Sequence, residues 1–192
     1  MPGVYDGAVI NKSLTVKGYH TETILVNENV LQDTEITGDL VVAANDVTIT
    51  GLVFKGAGRI ISNSGMSISN TTIKKVVFRS LTLNVSNNNK NAPFYFVSKS
   101  GFEATNLTIV NCRIENDPTI SGDRPMIAVL SNVNNLTIKD NEFIGRLVNY
   151  NDGIKVLRAS DEALDKSSYG VKGNVTITGN IFENYQQYTI WF

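Results

Sequence analysis

The chain has 192 residues, of which 42% are apolar, enough for one folded domain with a sizeable core and too apolar for a disordered segment. Seventeen Lys and Arg against eighteen Asp and Glu leave it almost uncharged, and no basic run could track a phosphate backbone, so nucleic acid is not an expected partner. A single cysteine, Cys112, rules out an intramolecular disulfide framework and a multi-cysteine metal site, and no stretch approaches the roughly 18 apolar residues of a membrane span.

The N-terminus lacks the charged and apolar regions of a signal peptide and opens directly in turn chemistry, MPGVYDGAVINKSLTVKG. It reads as a segment of a longer protein, with 1–192 as a single domain. From there a unit returns at a period of about thirty residues. A degenerate copy starts with LTVKG at 14, and five segments align without gaps: VTITGLVF at 47–54, VVFRSLTL at 76–83, LTIVNCRI at 107–114, LTIKDNEF at 136–143 and VTITGNIF at 175–182.

The first and third positions of each unit are apolar, which predicts a strand with one buried face. Gly51, Ser80, Asn111, Asp140 and Gly179 hold the fifth position, where residues tolerant of left-handed backbone angles permit an abrupt corner. Phe54, Leu83, Ile114, Phe143 and Phe182 then return a second strand to the core. A further short apolar run follows in each unit: GRIIS near 58, FYFV at 94, MIAVL at 126, GIKVL at 153 and YTIWF at 188. Three strands per repeat, always in the same direction, predict parallel stacking at about 4.8 Å per repeat. The expected fold is therefore all-β, a right-handed parallel β-helix of about six coils, with an internal file of Ile49, Phe78, Ile109, Ile138 and Ile177. Insertions at 84–93, 116–125 and 158–173 read as corner loops, the last with a helical turn in SDEALDK.

The segments LTIVNCRIEN, LTIKDNEFIG and VTITGNIFEN resemble coils of the pectate-lyase-like superfamily, and PGVYDGAVINKSLTVKG is similar to the first coil of pectin esterases and related β-helices. The resemblance covers nearly the whole chain. It implies the fold, and it leaves activity open between polysaccharide lyases, glycoside hydrolases and non-enzymatic surface domains. Asn151-Asp152-Gly153-Ile154 resembles part of the Asn-Thr-Asp-Gly motif of polygalacturonases, without their Asp-Asp pair, Gly-His-Gly or Arg-Ile-Lys. The expectation is a non-catalytic or carbohydrate-binding module of a secreted or cell-surface protein. The alternative is a lyase or hydrolase acting on an acidic polysaccharide.

A substrate-binding groove would draw on Arg113, Lys139, Glu142, Asp152 and Lys155, with Glu115, Asp117 and Asp140 nearby as carboxylates for calcium. No catalytic residue and no resident cofactor or metal is assigned, calcium being the one candidate ion. The sole histidine, His20, reads as structural or surface. Six Asn-x-Ser/Thr sequences, at Asn11, Asn70, Asn84, Asn106, Asn135 and Asn174, read as turn residues followed by β-forming Thr or Ser rather than as glycan acceptors. A polysaccharide or cell-surface glycan is the expected partner, and the final TIWF strand suggests end-to-end self-association.

Overall fold

The computed structural model describes residues 2–19, 33–83, 91–97, 102–115, 125–130, 132–145, 153–156, 173–185 and 189–191. Their strands form three parallel sheets that the chain visits in strict rotation. Sheet A holds β1 (Gly3–Tyr5), β4 (Thr34–Ile36), β7 (Val53–Gly56), β10 (Val77–Leu81), β13 (Arg113–Glu115), β16 (Glu142–Ile144) and β19 (Ile181–Glu183). Sheet B holds β2 (Ala8–Ile10), β5 (Asp39–Val42), β8 (Arg59–Ser62), β11 (Phe94–Val97), β14 (Ile127–Leu130), β17 (Ile154–Val156) and β20 (Ile190–Trp191). Sheet C holds β3 (Leu14–Lys17), β6 (Val47–Thr50), β9 (Ile68–Lys74), β12 (Glu103–Val110), β15 (Asn132–Lys139) and β18 (Val175–Thr178). The chain is a parallel β-helix of about six coils, each coil contributing one strand to each sheet.

The corner chemistry decides the path. Where sheet C passes to sheet A, Gly51, Lys75, Asn111, Asp140 and Gly179 all have positive φ, between 52° and 66°. A left-handed residue turns the chain sharply and resets the in-out alternation, so the residue after it and the third after it both face inward. The same device opens the second half of sheet C. Asp46, Asn70, Asn106 and Asn135 have φ between 52° and 65°, which lets Ile68 and Thr71, three apart in sequence, both face the interior.

This geometry corrects one repeat. The unit that stacks on VTITGLVF is TTIKKVVF at 71–78, with Ile49 opposite Ile73 and Phe54 opposite Phe78. VVFRSLTL at 76–83 lies five residues out of register. The internal file is therefore Ile49, Ile73, Ile109, Ile138 and Ile177, while Phe78 belongs to a second file with Ile36, Phe54, Ile114, Phe143 and Phe182. Two residues disguise the true unit: Thr71 occupies the first apolar position, and Lys75 occupies the corner. A β-bulge in β10, with Ser80 at φ 49°, supplies the misleading second pattern by turning Leu81 inward.

Inside, ring stacking reinforces the files: Phe54 and Phe78 lie 4.7 Å apart, and Phe143 and Phe182 4.9 Å apart. Each wholly buried Phe contributes roughly 1.5–3 kcal/mol. At the inner side of the sheet C to sheet A corner the succession is Leu52, Val76, Cys112, Asn141 and Asn180. The buried Asn141 accepts from the Cys112 N–H (2.9 Å) and donates to the Ile109 carbonyl (3.0 Å) and to Asn180 Oδ1 (2.9 Å). Asn180 in turn donates to the Ile138 carbonyl at 2.9 Å. The amides thus satisfy one another and the corner backbone, which makes burying them affordable.

Two outcomes follow from the register. Ile138→Asp places a carboxylate in a fully buried file and costs several kcal/mol, so the protein is expected not to fold; an unchanged melting curve contradicts the register. Thr71→Val removes a buried hydroxyl that has no hydrogen-bond partner, and a gain of about 1 kcal/mol is expected in denaturant titration. A loss of comparable size would contradict the inward placement of Thr71.

Candidate functional site

The sequence-derived candidates separate. Arg113 and Glu142 are direct cross-strand neighbours on the outer face of sheet A. Arg113 Nε donates to Glu115 Oε1 at 2.6 Å and its Nη1 donates to Glu142, so one guanidinium is shared by two carboxylates. These bonds, Glu115 first, raise its pKa above the ordinary arginine value. Lys139 ends β15 in sheet C, beyond the corner, with its Nζ 3.6 Å from Asp140 Oδ2. The backbone of Lys155 lies in β17, in sheet B, opposite Ala128. Asp152 lies outside the described residues, as do Asp117, His20 and the SDEALDK segment. The structure thus brings Arg113, Glu115 and Glu142 together and does not bring Lys155 to the same sheet.

Two further ion pairs at sheet A link one coil to another. Lys55 bonds Glu35, and Arg79 reaches Asp33 at 2.5 Å. Asp33 precedes β4 and Arg79 lies in β10, so this ion pair crosses β7, whose outward-facing Val53 is fully buried. A long arginine stem laid across an apolar side chain is a common way of covering it. Exposed ion pairs of this kind contribute little individually, about 0–1 kcal/mol.

An arrangement that sequence reasoning missed lies at the corner between sheets A and B. In the first three coils this corner is a two-residue turn: Asp6-Gly7, Thr37-Gly38 and Ala57-Gly58. At Gly7 a Cβ would sit 2.1 Å from the Asp39 carbonyl oxygen, so the coils close up there as only glycine allows. The fourth coil departs from this, with residues 82–93 between β10 and β11. An open cleft of about 390 Å³ lies at the step, lined by Gly38, Asp39, Ala57, Arg59, Thr82, Leu83 and Asn91. Within it Arg59 grips Asp39 with two parallel bonds, Nε to Oδ1 at 2.8 Å and Nη2 to Oδ2 at 2.5 Å. The only sequence signal for this place was the insertion at 84–93; Asp39 and Arg59 meet through strand register alone.

The corner asparagines form a second ladder, on the outside. Asn70 Nδ2 donates to Asp46 Oδ1 (2.8 Å), Asn106 Nδ2 to Asn70 Oδ1 (2.8 Å) and Asn135 Nδ2 to Asn106 Oδ1 (3.0 Å), while the Asn174 N–H donates to Asn135 Oδ1 (3.2 Å). Four of the six Asn-x-Ser/Thr positions are thus one structural row. The amide nitrogens of Asn70, Asn106 and Asn135, the atoms a glycan would need, are engaged in it. Among the described residues no cluster of three His, Cys, Asp or Glu side chains is placed to hold a metal ion, and no helix is long and apolar enough to cross a membrane.

Cys112 is buried, and desolvation pushes its thiol from 9.0 up to about 12. The folded state holds this proton more tightly than the unfolded chain. The associated stability is therefore complete below about pH 9 and declines as the pH rises towards about 12. An aromatic disulfide reagent should label native Cys112 only as fast as the structure opens, and Cys112→Ala should flatten the alkaline loss of stability. Labelling at the rate of a free thiol would contradict this burial.

No protein-family model, curated protein or solved structure matches the chain.

Proposed function

We propose that this chain is a non-catalytic, carbohydrate-binding β-helix module of the pectate-lyase-like kind, acting in a secreted or cell-surface protein. The observation that carries this reading is the pairing of the outer charges. Arg113 is shared by Glu115 and Glu142, Lys55 by Glu35, Arg79 by Asp33 and Arg59 by Asp39. A hydrolase needs one carboxyl as acid and another as base or nucleophile on either side of the scissile bond, and a lyase needs a base beside the acidic carbon. Carboxylates tied to a guanidinium are poor candidates for either task. A rigid rod with near-neutral, hydrogen-bonding faces suits recognition of a polymer whose own surface is hydroxyl-rich.

The coil resemblance in LTIVNCRIEN, LTIKDNEFIG and VTITGNIFEN adds support from sequence, and the rotation through three parallel sheets is compatible with it. The second reading, a lyase or hydrolase on an acidic polysaccharide, draws on the convergence of Glu115 and Glu142 on one arginine, next to which a uronate or calcium could bind. Self-association through the terminal coils belongs to the same proposal. Inward residues there, such as Leu14, Val16, Val175 and Ile177, remain partly exposed, whereas Val47, Ile49, Leu136 and Ile138 one coil inward are sealed.

The test is a panel of neutral and uronic polysaccharides, with and without calcium, scored both for retention of the protein and for chain cleavage. Retention without new reducing ends or unsaturated products is the expected result. Depolymerisation would overturn the non-catalytic reading in favour of the second one, and retention of none would overturn carbohydrate binding.

A further inference from the structure

We propose that the outer face of sheet C is a track for an extended acidic polysaccharide that carries one carboxylate per disaccharide, held by Lys17, Lys74 and Lys139 and by the file of threonines beside them. This rests on the carbohydrate-binding reading and adds to it a face, a direction along the rod and a charge spacing.

The track follows from register. Thr15, Thr48, Thr72, Thr108, Thr137 and Thr176 are successive partners across all six strands of sheet C, so one threonine stands over the next through six coils. Alternation turns them outward, since the residues on either side of each face the core. None of the six hydroxyls has a hydrogen-bond partner among the described residues, so each is open to donate and accept. The outer asparagine row borders this file on one side. On the other, the corner to sheet A is two residues long in every coil from the second to the sixth, so the face ends flush there.

The charge spacing follows from the next outward column, which reads Lys17, Thr50, Lys74, Val110, Lys139 and Thr178. A cation returns at every second coil, ~9.6 Å apart at ~4.8 Å per coil, which is close to the length of an extended disaccharide. The register neighbours of each lysine are Thr or Val, so no adjacent strand of the sheet supplies a carboxylate opposite it. Lys17 and Lys74 are exposed and have no ion-pair partner among the described residues, as is also true of Lys75 at the adjoining corner. By contrast Lys55, Arg59, Arg79 and Arg113 on sheets A and B are each bonded to a carboxylate. Lys139 approaches Asp140 only to 3.6 Å, and both side chains stay about half exposed. Of the other acidic groups, Asp46 accepts from Asn70 within the asparagine row, and Glu103 lies beyond that row and accepts from Thr105.

This spacing selects among polymers. A neutral chain uses the threonines and leaves the lysines idle. A chain with a carboxylate on every sugar places half of them over Thr50 and Val110, where no cation stands. Carboxylates on alternate sugars meet Lys17, Lys74 and Lys139 in turn, while the sugars between them lie along the hydroxyl file. Exposed pairs of this kind are individually weak and screened by salt, and a polymer combines them because they share one binding event.

The experiment is an amide-resolved NMR titration at low salt with three hexasaccharides: hyaluronan, with a carboxylate on every second sugar, hexagalacturonate, with one on each, and cellohexaose, with none. Wild type is compared with Lys74→Gln, with the triple variant Lys17→Gln/Lys74→Gln/Lys139→Gln, and with Lys55→Gln, which removes a paired charge on sheet A. Melting curves establish that each variant is folded. The expected result is that the hyaluronan hexasaccharide binds most tightly and shifts the Thr72, Thr108 and Thr137 resonances. Lys74→Gln should weaken it roughly two- to fivefold and the triple variant about tenfold or more, while Lys55→Gln leaves it unchanged. Tighter binding of hexagalacturonate or cellohexaose, shifts confined to sheets A and B, or an equal loss in Lys55→Gln and Lys74→Gln would overturn this inference while leaving a carbohydrate-binding module intact. Absence of binding by all three sugars would overturn both.

Discussion

Everything in this molecule depends on successive coils stacking in parallel and in register. No coil can bury its own apolar residues, because each contributes only a few inward side chains per sheet. The core exists where Ile49, Ile73, Ile109 and Ile138 lie above one another, and where Phe54 and Phe78 stack. Backbone pairing sets the spacing, and side-chain identity sets which residue meets which. The left-handed corners hold the two together: without a positive φ at Gly51, Lys75, Asn111 and Asp140, alternation would send half of the second strand's apolar residues outward.

The same stacking accounts for the polar groups. Once corners are superimposed, their side chains face like side chains about 4.8 Å away, and the residues that profit are those able to donate and accept at once. Asparagine does both. The outer ladder terminates at Asp46, which accepts from Asn70 as an amide would, while the inner ladder links Asn141 to Asn180 and satisfies corner backbone groups. Opposite charges on neighbouring coils pair for the same reason. The cleft at Asp39 and Arg59 lies where the corner length first changes.

Much of the fold was legible because the stacking leaves a pattern in the sequence. LTIVNCRI, LTIKDNEF and VTITGNIF carry apolar residues at fixed positions around a turn-forming residue, and their register is as read. The third unit was misread for a physical reason. Thr71 is buried despite its hydroxyl, Lys75 adopts a left-handed angle that small or amide residues take more readily, and the bulge in β10 brings Val76, Phe78, Leu81 and Leu83 into the interior in an imitation of the motif. The same slip hid Asn70 as a member of the outer row. The cleft was less legible still, because Asp39 and Arg59 are twenty residues apart and nothing in either local sequence announces the other. Arg113 and Glu142 could be placed on adjacent coils from the repeat, but their sharing with Glu115 required coordinates.

The central claim is the register of the third coil against its neighbours, and side-chain nuclear Overhauser contacts in methyl- and aromatic-labelled protein measure it most directly. The account predicts contacts from the Ile73 methyls to both Ile49 and Ile109, and from the Phe78 ring to Phe54 and Ile114. Contacts running instead from Phe78 to Ile49 and Ile109, with Leu83 against Phe54, would contradict it.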